Sequence, residues 1–221
     1  MSENKTEKNT MVKDALILCA ITLILGLILA GVYTVTKKPI EDAQAKTNNE
    51  ACQQVVSPGA LVGDDDQKAV ETTNQYFASH DLANKEVSQG ESLADYVEVT
   101  QVHPVTDASG SQIGKVYLAN AKKGYGGKIG FALGVDQNGA VTGLSITSQS
   151  ETAGLGANCE DPEWQASFGG KVLPEDPSQN MYNKNEETKS QIQALSGATV
   201  TSRALTHAVK GILFASEGGG Q

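Results

Sequence analysis

The sequence has few of the residues from which proteins build metal and iron–sulfur centres. It contains three cysteines and three histidines among 221 residues, with no CxxC pair and no Cys/His cluster. Such centres need several thiolate or imidazole ligands at close spacing, so the sequence gives no support for a metal site. The histidines are scattered along the chain, and we expect each to be a surface or helix-capping residue: His80, His103 and His207.

Positive charge is also scarce. The formal net charge is -9 and the sequence pI is about 4.8, and no stripe of lysines or arginines interrupts the acidic character. A phosphate backbone would be repelled by such a surface, so we exclude a nucleic-acid partner. The length fits one ordinary domain with appendages.

One long apolar stretch is present, from Ala15 to Val35, and it contains no carboxylate and no amine. At about 1.5 Å per helical residue it is long enough to cross a hydrocarbon core of about 30 Å. A cleaved signal peptide would have a shorter apolar core followed by a small-x-small cleavage site. We therefore predict a short N-terminal arm, residues 1–14, and an uncleaved transmembrane helix, residues 15–36.

The charges that flank this span leave its orientation open. Three lysines precede it and three follow it, and acidic residues contribute little to membrane topology. The lysines are Lys5, Lys8 and Lys13 on one side and Lys37, Lys38 and Lys46 on the other.

The three cysteines do not form a recognisable motif. Cys19 lies inside the apolar stretch after Leu18, which does not fit a lipoprotein acceptor site, so we interpret it as an ordinary thiol. Cys52 and Cys159 could pair if the domain faces an oxidising compartment. Two thiols are a weak basis for a disulfide, and we favour the unpaired form while pairing stays open.

After the span, the pattern indicates a stalk helix and a linker, residues 37–92. Helix-compatible spacing runs from Pro39 to Val56 and is then interrupted by Ser57-Pro58-Gly59 and by the acidic run after Gly63. Residues 67–92 are polar and weakly patterned, and they predict no particular element.

The period of the hydrophobic pattern changes towards two from Ala94 onwards, which predicts strands around 96–99 and 113–118 with a turn at 107–110. The clearest hairpin follows, because apolar residues alternate with small ones from Ile129 to Val135 and return after Asn138-Gly139. Asn-Gly between alternating apolar residues is a strong hairpin signal, since both residues tolerate positive φ. The small residues suit the close approach of a helix or a flat ligand.

The last long element is an amphipathic helix that follows Ser196-Gly197-Ala198-Thr199 and ends in a flexible tail, residues 217–221. Its start, SGATVTS, is rich in hydroxyls and has little side-chain bulk. Unpaired N–H groups and the positive end of the helix dipole favour an anion such as a phosphate there. A simple helix cap by Ser196 or Thr199 is the alternative.

A second stretch with polar groups and glycines, Ser148 to Gly156, directly follows the hairpin. Glycines allow a ligand to approach the backbone, and Glu151 and Thr152 offer polar contacts, so the stretch is typical of a binding loop at a strand end. An ordinary glycine loop would have the same composition.

Taken together, these segments resemble the FMN-binding domain shared by the RnfG subunits of Rnf complexes and the NqrC subunits of sodium-translocating NADH:quinone reductases. The resemblance covers about residues 10 to 215. It rests on the single N-terminal span and three motifs: GYGGKIGFALGVDQNGAVTGLSITSQSETAGLG (124–156), PEWQASFGGK (162–171) and LSGATVTS (195–202).

The resemblance implies a covalent cofactor. In that family a flavin transferase attaches FMN as a phosphoester to the last residue of the (S/T)GAT motif, which corresponds to Thr199. Two positions depart from the family pattern: Ala153 stands where proline is frequent, and Gln193 stands where the attachment motif begins with aspartate. The residues implied to bind the flavin are Thr199 (covalently), Ser196, Gly197, Ala198, Thr201, Ser202, Glu151, Thr152, Gly154, Leu155, Gly156, Tyr125 and Trp164.

The fold that we predict is α+β, with one transmembrane helix followed by an FMN-binding domain, residues 93–216, in which a largely antiparallel twisted sheet packs against helices. By resemblance, the protein is a redox relay subunit of an Rnf-type translocase that couples ferredoxin:NAD electron transfer to Na⁺ or H⁺ transport. It would sit in the cell membrane with its C-terminal domain outside the cytoplasm, among the other subunits of the complex.

The flavin itself would do the redox chemistry, so we assign no catalytic acid, base or metal ligand to the protein. Two other functions remain open at this point. One is the NqrC role in the quinone reductase, whose members are typically longer than this chain. The other is a flavin-free, membrane-tethered binding module.

Overall fold

The computed structural model describes residues 3–80, 92–176, 178–184 and 188–218. It divides into two compact units, Met1–Lys46 and Thr47–Gln221. The helices are α1 (Glu3–Gln54), α2 (Gln67–Ser79), α3 (Pro162–Ala166) and α4 (Thr199–Gly218). The strands are β1 (Leu61–Val62), β2 (Val97–Thr106), β3 (Gln112–Ala121), β4 (Ile129–Asp136), β5 (Val141–Ser148), β6 (Tyr182–Asn183) and β7 (Ile192–Gln193). Short 3₁₀ turns cover Leu93–Asp95 and Gly156–Glu160.

The first unit is helical over all of its described residues. Its apolar side chains from Leu16 to Ile40 are exposed, and the helix is long and apolar enough to cross a membrane by length and composition. Pro39 lies inside α1 without ending it. The predicted membrane and stalk helices are therefore parts of one continuous helix, and good helix formers such as Ala43 and Lys46 follow the proline.

The second unit is built on a five-stranded antiparallel sheet in the order β1-β2-β3-β4-β5. The α+β class predicted from the sequence is confirmed. The predicted hairpin is present as well: β4 pairs with β5 through the turn at Asn138-Gly139, where Gly139 adopts a φ of 75°. The turn at 107–110 likewise joins β2 to β3.

Two hydrophobic clusters cover the two faces of the sheet. The larger one contains the buried face of α4 and Phe77 of α2. The smaller one contains Ala51 and Cys52 from the last turn of α1 and Val55 just after it, together with sheet residues such as Val116 and Ala132. Both Cys52 and Cys159 are free thiols, and each belongs to a different cluster, so the structure holds no disulfide between them.

Helix α4 is buried on most of its sides. Alongside its apolar stripe it buries polar residues, among them Thr206, His207 and Lys210. These face other elements, because α2 and the segment before β6 also pack on α4. The expectation that His207 is a surface or capping residue was wrong for this reason. His80 does follow the end of α2, and His103 is partly exposed.

Residues 61–79 contain two elements that the sequence pattern did not predict. The two-residue β1 pairs with β2, and α2 begins after Asp66, whose carboxylate accepts a hydrogen bond of 3.0 Å from the N–H of Ala69. The rest of the predicted linker, residues 81–91, lies outside the described residues, as do residues 219–221 of the predicted tail.

Candidate functional site

A cavity of about 440 Å³ opens where the loop after β5 meets the start of α4. This volume lies within the range of roughly 300–1,000 Å³ that is usual for small-molecule pockets. The lining residues come from three separate segments of the chain: Tyr125; Glu151, Thr152, Leu155 and Gly156; and Gly197, Ala198, Thr199, Val200 and Thr201.

The cavity collects most of the exposed large hydrophobic side chains of the second unit. Besides Leu61, the described residues of this kind are Tyr125, Leu155 and Val200, which are 74%, 43% and 37% exposed, and all three line the cavity. Exposed apolar side chains gathered around one opening mark a surface that a ligand or partner covers. A flat, aromatic ligand would bury them.

The start of α4 forms the polar side of the cavity. Ala198 precedes the helix, and its carbonyl accepts the first helical hydrogen bond, from the N–H of Ser202 at 3.1 Å. Alanine has no side-chain oxygen with which to cap the helix. Within the described part of the chain no group accepts a hydrogen bond from the N–H of Thr199, Val200 or Thr201, so these amides are available to an anion.

Hydroxyl groups at this helix start differ in their surroundings. Thr199 is exposed, whereas Thr201 is 1% exposed and its hydroxyl donates to Glu151 at 2.5 Å. The Ser202 hydroxyl is buried; it accepts from the N–H of Leu195 at 2.9 Å and donates to the carbonyl of Ala198 at 3.0 Å. Thr199 is therefore the hydroxyl of this turn that is open to the cavity.

Gly197 gives the turn its shape. Its φ is 71°, a conformation that favours glycine. A Cβ at this position would lie 3.0 Å from Cδ2 of Leu155, so a larger residue would press on the apolar wall. Two structural features thus favour glycine at this position of the predicted motif: the left-handed backbone conformation and the close approach of Leu155.

Four of the predicted site residues do not line the cavity. Ser202 is buried beneath the turn, and Ser196 and Gly154 lie in the neighbouring loops. Trp164, in α3, packs edge-on against Phe168 with ring centroids 5.1 Å apart, and its indole N–H donates to the carbonyl of Gln193 at 2.9 Å. Val200 lines the cavity but was missed, because its spacing in the sequence matches the buried stripe of α4.

The thiol of Cys159 lies close to this region but is not suited to nucleophilic chemistry. Burial, together with the negative charges of Glu160 and Glu151, raises the pKa of Cys159 to about 12. The thiol is therefore protonated at neutral pH, and thiols react as thiolates.

Comparison with known proteins matches both units. Residues 124–213 match the family model of the FMN-binding domain, and residues 1–55 match that of the RnfG N-terminal region. The chain belongs to the RnfG family. As a member of that family it is a membrane-associated electron-transfer subunit with an FMN-binding domain.

Relatives of this RnfG protein align over nearly the whole chain. One is the subunit designated G in the Na⁺-translocating ferredoxin:NAD⁺ oxidoreductase complex of Acetobacterium woodii, 27% identical over 89% of this chain and 87% of the relative. Another is the corresponding protein of the proton-translocating complex of Clostridium ljungdahlii, 28% identical over 95% of this chain and 93% of the relative. Among solved structures, NqrC of Shewanella oneidensis is 25% identical over 52% of this chain and 56% of that one, with a TM-score of 0.46.

The residues around the cavity fit an FMN. The three exposed apolar side chains suit an isoalloxazine ring, and the unpaired amides of α4 suit a phosphate. Both features lie in one cavity, within the region that matches the FMN-binding domain.

Proposed function

We propose that this RnfG protein carries one FMN as a phosphoester on Thr199 and passes electrons within a complex that couples ferredoxin:NAD electron transfer to the translocation of Na⁺ or H⁺. The names of the relatives, which belong to such complexes, support the coupling. The other subunits of the complex would be its electron-transfer partners.

The observation that carries the attachment site is the position of Thr199. Its side chain is exposed in the wall of the cavity, on the first turn of α4, next to amides that have no acceptor among the described residues. A phosphodiester on this oxygen would stay negatively charged and would meet those amides and the positive end of the helix dipole. Thr201 and Ser202 hold their hydroxyls in hydrogen bonds away from such a role.

FMN supplies the redox chemistry when it is bound, since flavins accept and release electrons. The chain's own residues bind and orient it. Tyr125, Leu155 and Val200 offer apolar surface to the ring, and Gly197 leaves room for Leu155 beside it. Electron relay needs no proton transfer from a protein side chain, so we assign no catalytic acid or base.

Covalent attachment suits a domain that faces away from the cytoplasm, where FMN is scarce. A tether keeps the flavin at a high effective concentration in its pocket and prevents its loss. We therefore propose that a flavin transferase matures the protein and that the second unit lies on the extracytoplasmic side of the membrane.

In-gel flavin fluorescence after denaturation tests the attachment. The full-length protein, co-expressed with a flavin transferase, should give a fluorescent band, because only a covalent flavin survives denaturation. Thr199→Ala should abolish the fluorescence, and no covalent flavin should remain.

Thr152→Ala is a matched control, since Thr152 is an exposed threonine that lines the same cavity but lies outside the helix start. This variant should keep its fluorescence. Full fluorescence in Thr199→Ala would contradict the proposed site.

A further inference from the structure

Glu151 differs from the other acidic residues of the described chain because its side chain is buried. Of the described residues it is the one buried acid, at 8% exposure, and it lines the flavin cavity. No lysine, arginine or histidine of the described chain forms an ion pair with it. A buried carboxylate costs several kcal/mol unless its oxygens are satisfied. The groups that donate to its oxygens therefore indicate what the carboxylate does here.

Both oxygens of Glu151 are satisfied, by donors from two different elements. Oε1 accepts from the backbone N–H of Gly126 at 2.7 Å, and Oε2 accepts from the hydroxyl of Thr201 at 2.5 Å. Gly126 belongs to the loop that carries Tyr125, and Thr201 belongs to the first turn of α4. The carboxylate thus connects the Tyr125 loop to the helix that carries Thr199.

Three glycines allow this connection to be so short. A Cβ on Gly124 would lie 2.9 Å from Oε1 of Glu151, and a Cβ on Gly156 would lie 2.6 Å from Oε2. A Cβ on Gly126 would collide with the carbonyl oxygen of Ser150. The backbone around the carboxylate is therefore packed as closely as glycine permits, which fixes the distance between loop and helix.

We propose that Glu151 is a positioning residue that holds the Tyr125 loop against the start of α4 and, through its negative charge, lowers the reduction potential of the flavin. This rests on the proposed function, since it requires the flavin in the cavity. The fixed charge lies in a wall from which water is largely excluded, where electrostatic interactions are stronger than in water. Electrons that enter the flavin bring more negative charge into the same cavity, so reduction becomes less favourable.

The two effects can be separated by two substitutions. Glu151→Gln keeps the size of the side chain and an acceptor oxygen but removes the charge. Glu151→Asp keeps the charge but is one methylene shorter, so it cannot reach both Gly126 and Thr201. Glu160→Gln is a matched control, because Glu160 is an exposed acid of the same segment that does not line the cavity.

The measurement is a spectroelectrochemical titration of the flavinylated, full-length protein in detergent. Glu151→Gln should shift the midpoint potential to a more positive value, and Glu160→Gln should leave it at the wild-type value. A merely structural role for Glu151 would instead shift the potential of Glu151→Asp as well, because that variant loses the contact but keeps the charge. An unchanged potential in Glu151→Gln, or an equal shift in Glu160→Gln, would overturn the proposal.

Acrylamide quenching of the flavin fluorescence tests the positioning role on Glu151→Asp. This variant should keep a potential near that of the wild type while its flavin becomes more accessible to the quencher. Glu151→Asp also tests the proposal if Glu151→Gln does not fold. Quenching of Glu151→Asp equal to that of the wild type would overturn the proposal. Flavin content is measured first by in-gel fluorescence, so that an absence of covalent flavin in the wild type counts against the proposed function instead.

Discussion

At the scale of single residues, a contact between Trp164 and Gln193 holds the strand that precedes the proposed attachment site. The indole N–H of Trp164 holds the backbone carbonyl of Gln193, in β7, at 2.9 Å. The side chain of Gln193 is left exposed, six positions before Thr199. Trp164 thus holds the strand that leads into the segment Ser196-Gly197-Ala198-Thr199.

We therefore expect Gln193→Asp to speed flavin attachment. The substitution introduces the acid with which the family's motif usually begins, and it places this acid on a side chain that is open to a partner protein. The measurement is a time course of in-gel fluorescence with the transferase. Gln137→Asp, at an exposed glutamine in the β4–β5 turn, should leave the rate unchanged. Equal rates for the wild type and both variants would show that the position is immaterial.

Single residues also show where sequence reasoning ends. The positions of Thr199 and Gly197 at the start of α4 were predictable, because a glycine and a hydroxyl residue are favoured there by the local backbone. The position of Trp164 and the burial of His207 were not, because each depends on an element that is distant in the sequence. Trp164 meets β7, and the ring of His207 packs edge-on against Tyr96, at a centroid distance of 5.4 Å.

At the scale of elements, α4 contributes residues both to the wall of the flavin cavity and to the hydrophobic core. Its apolar residues pack on the sheet, and its Lys210 is fully buried and donates to the carbonyl of Gln179 at 3.0 Å. Burial lowers the pKa of Lys210 to about 8, against an opposing effect of the charge of Asp176. An unfolded lysine has a pKa of about 10.4.

Lys210 should accordingly make stability depend on pH. Between about pH 8 and 10.4 the unfolded chain binds more protons than the folded one, so the free energy of unfolding rises with pH in that window. Lys210→Met should lose this rise, which we expect to be roughly 1–3 kcal/mol. Urea unfolding of flavin-free protein, followed by the fluorescence of the single tryptophan, measures it.

Lys68→Met serves as the control for this series, because Lys68 is an exposed residue of α2. Its unfolding free energy should follow that of the wild type across the pH range. If Lys210→Met kept the same pH slope as the wild type, the buried charge would not be the cause.

The elements themselves were predictable to different degrees. The β4–β5 hairpin and α4 were predictable from the sequence, since each has a periodic apolar pattern. The hairpin also has a recognisable turn, and α4 has a hydroxyl-rich start. The elements β1 and α2 were not, because a two-residue strand has no period and the acidic run before α2 resembles a loop. Asp66 was the available signal, as an N-cap before Ala69.

At the scale of the whole molecule, the chain is a membrane-anchored protein with one apolar N-terminal helix and one α+β unit. The balanced lysines around the apolar stretch do not fix which side of the membrane the second unit occupies. Long translocated domains cross largely regardless of their charge, so an extracytoplasmic location is compatible with the net charge of -9.

Labelling of intact cells with a membrane-impermeant thiol reagent tests this location. The suitable variant lacks Cys19, Cys52 and Cys159 and carries Ala108→Cys, since Ala108 is exposed in the β2–β3 turn. We expect labelling without disruption of the membrane. The same background without the new cysteine is the control, and labelling only after lysis would mean that the second unit is cytoplasmic.

The central claim is the ester between FMN and Thr199, and peptide mass spectrometry tests it most directly. Trypsin cleaves after Lys189 and Arg203, so one peptide, residues 190–203, contains all of the candidate hydroxyls: Ser190, Ser196, Thr199, Thr201 and Ser202. We predict that this peptide carries the mass of one FMN less one water and that fragmentation assigns the added mass to Thr199. An added mass on any of the other four hydroxyls, or an unmodified peptide from fluorescent protein, would contradict the account.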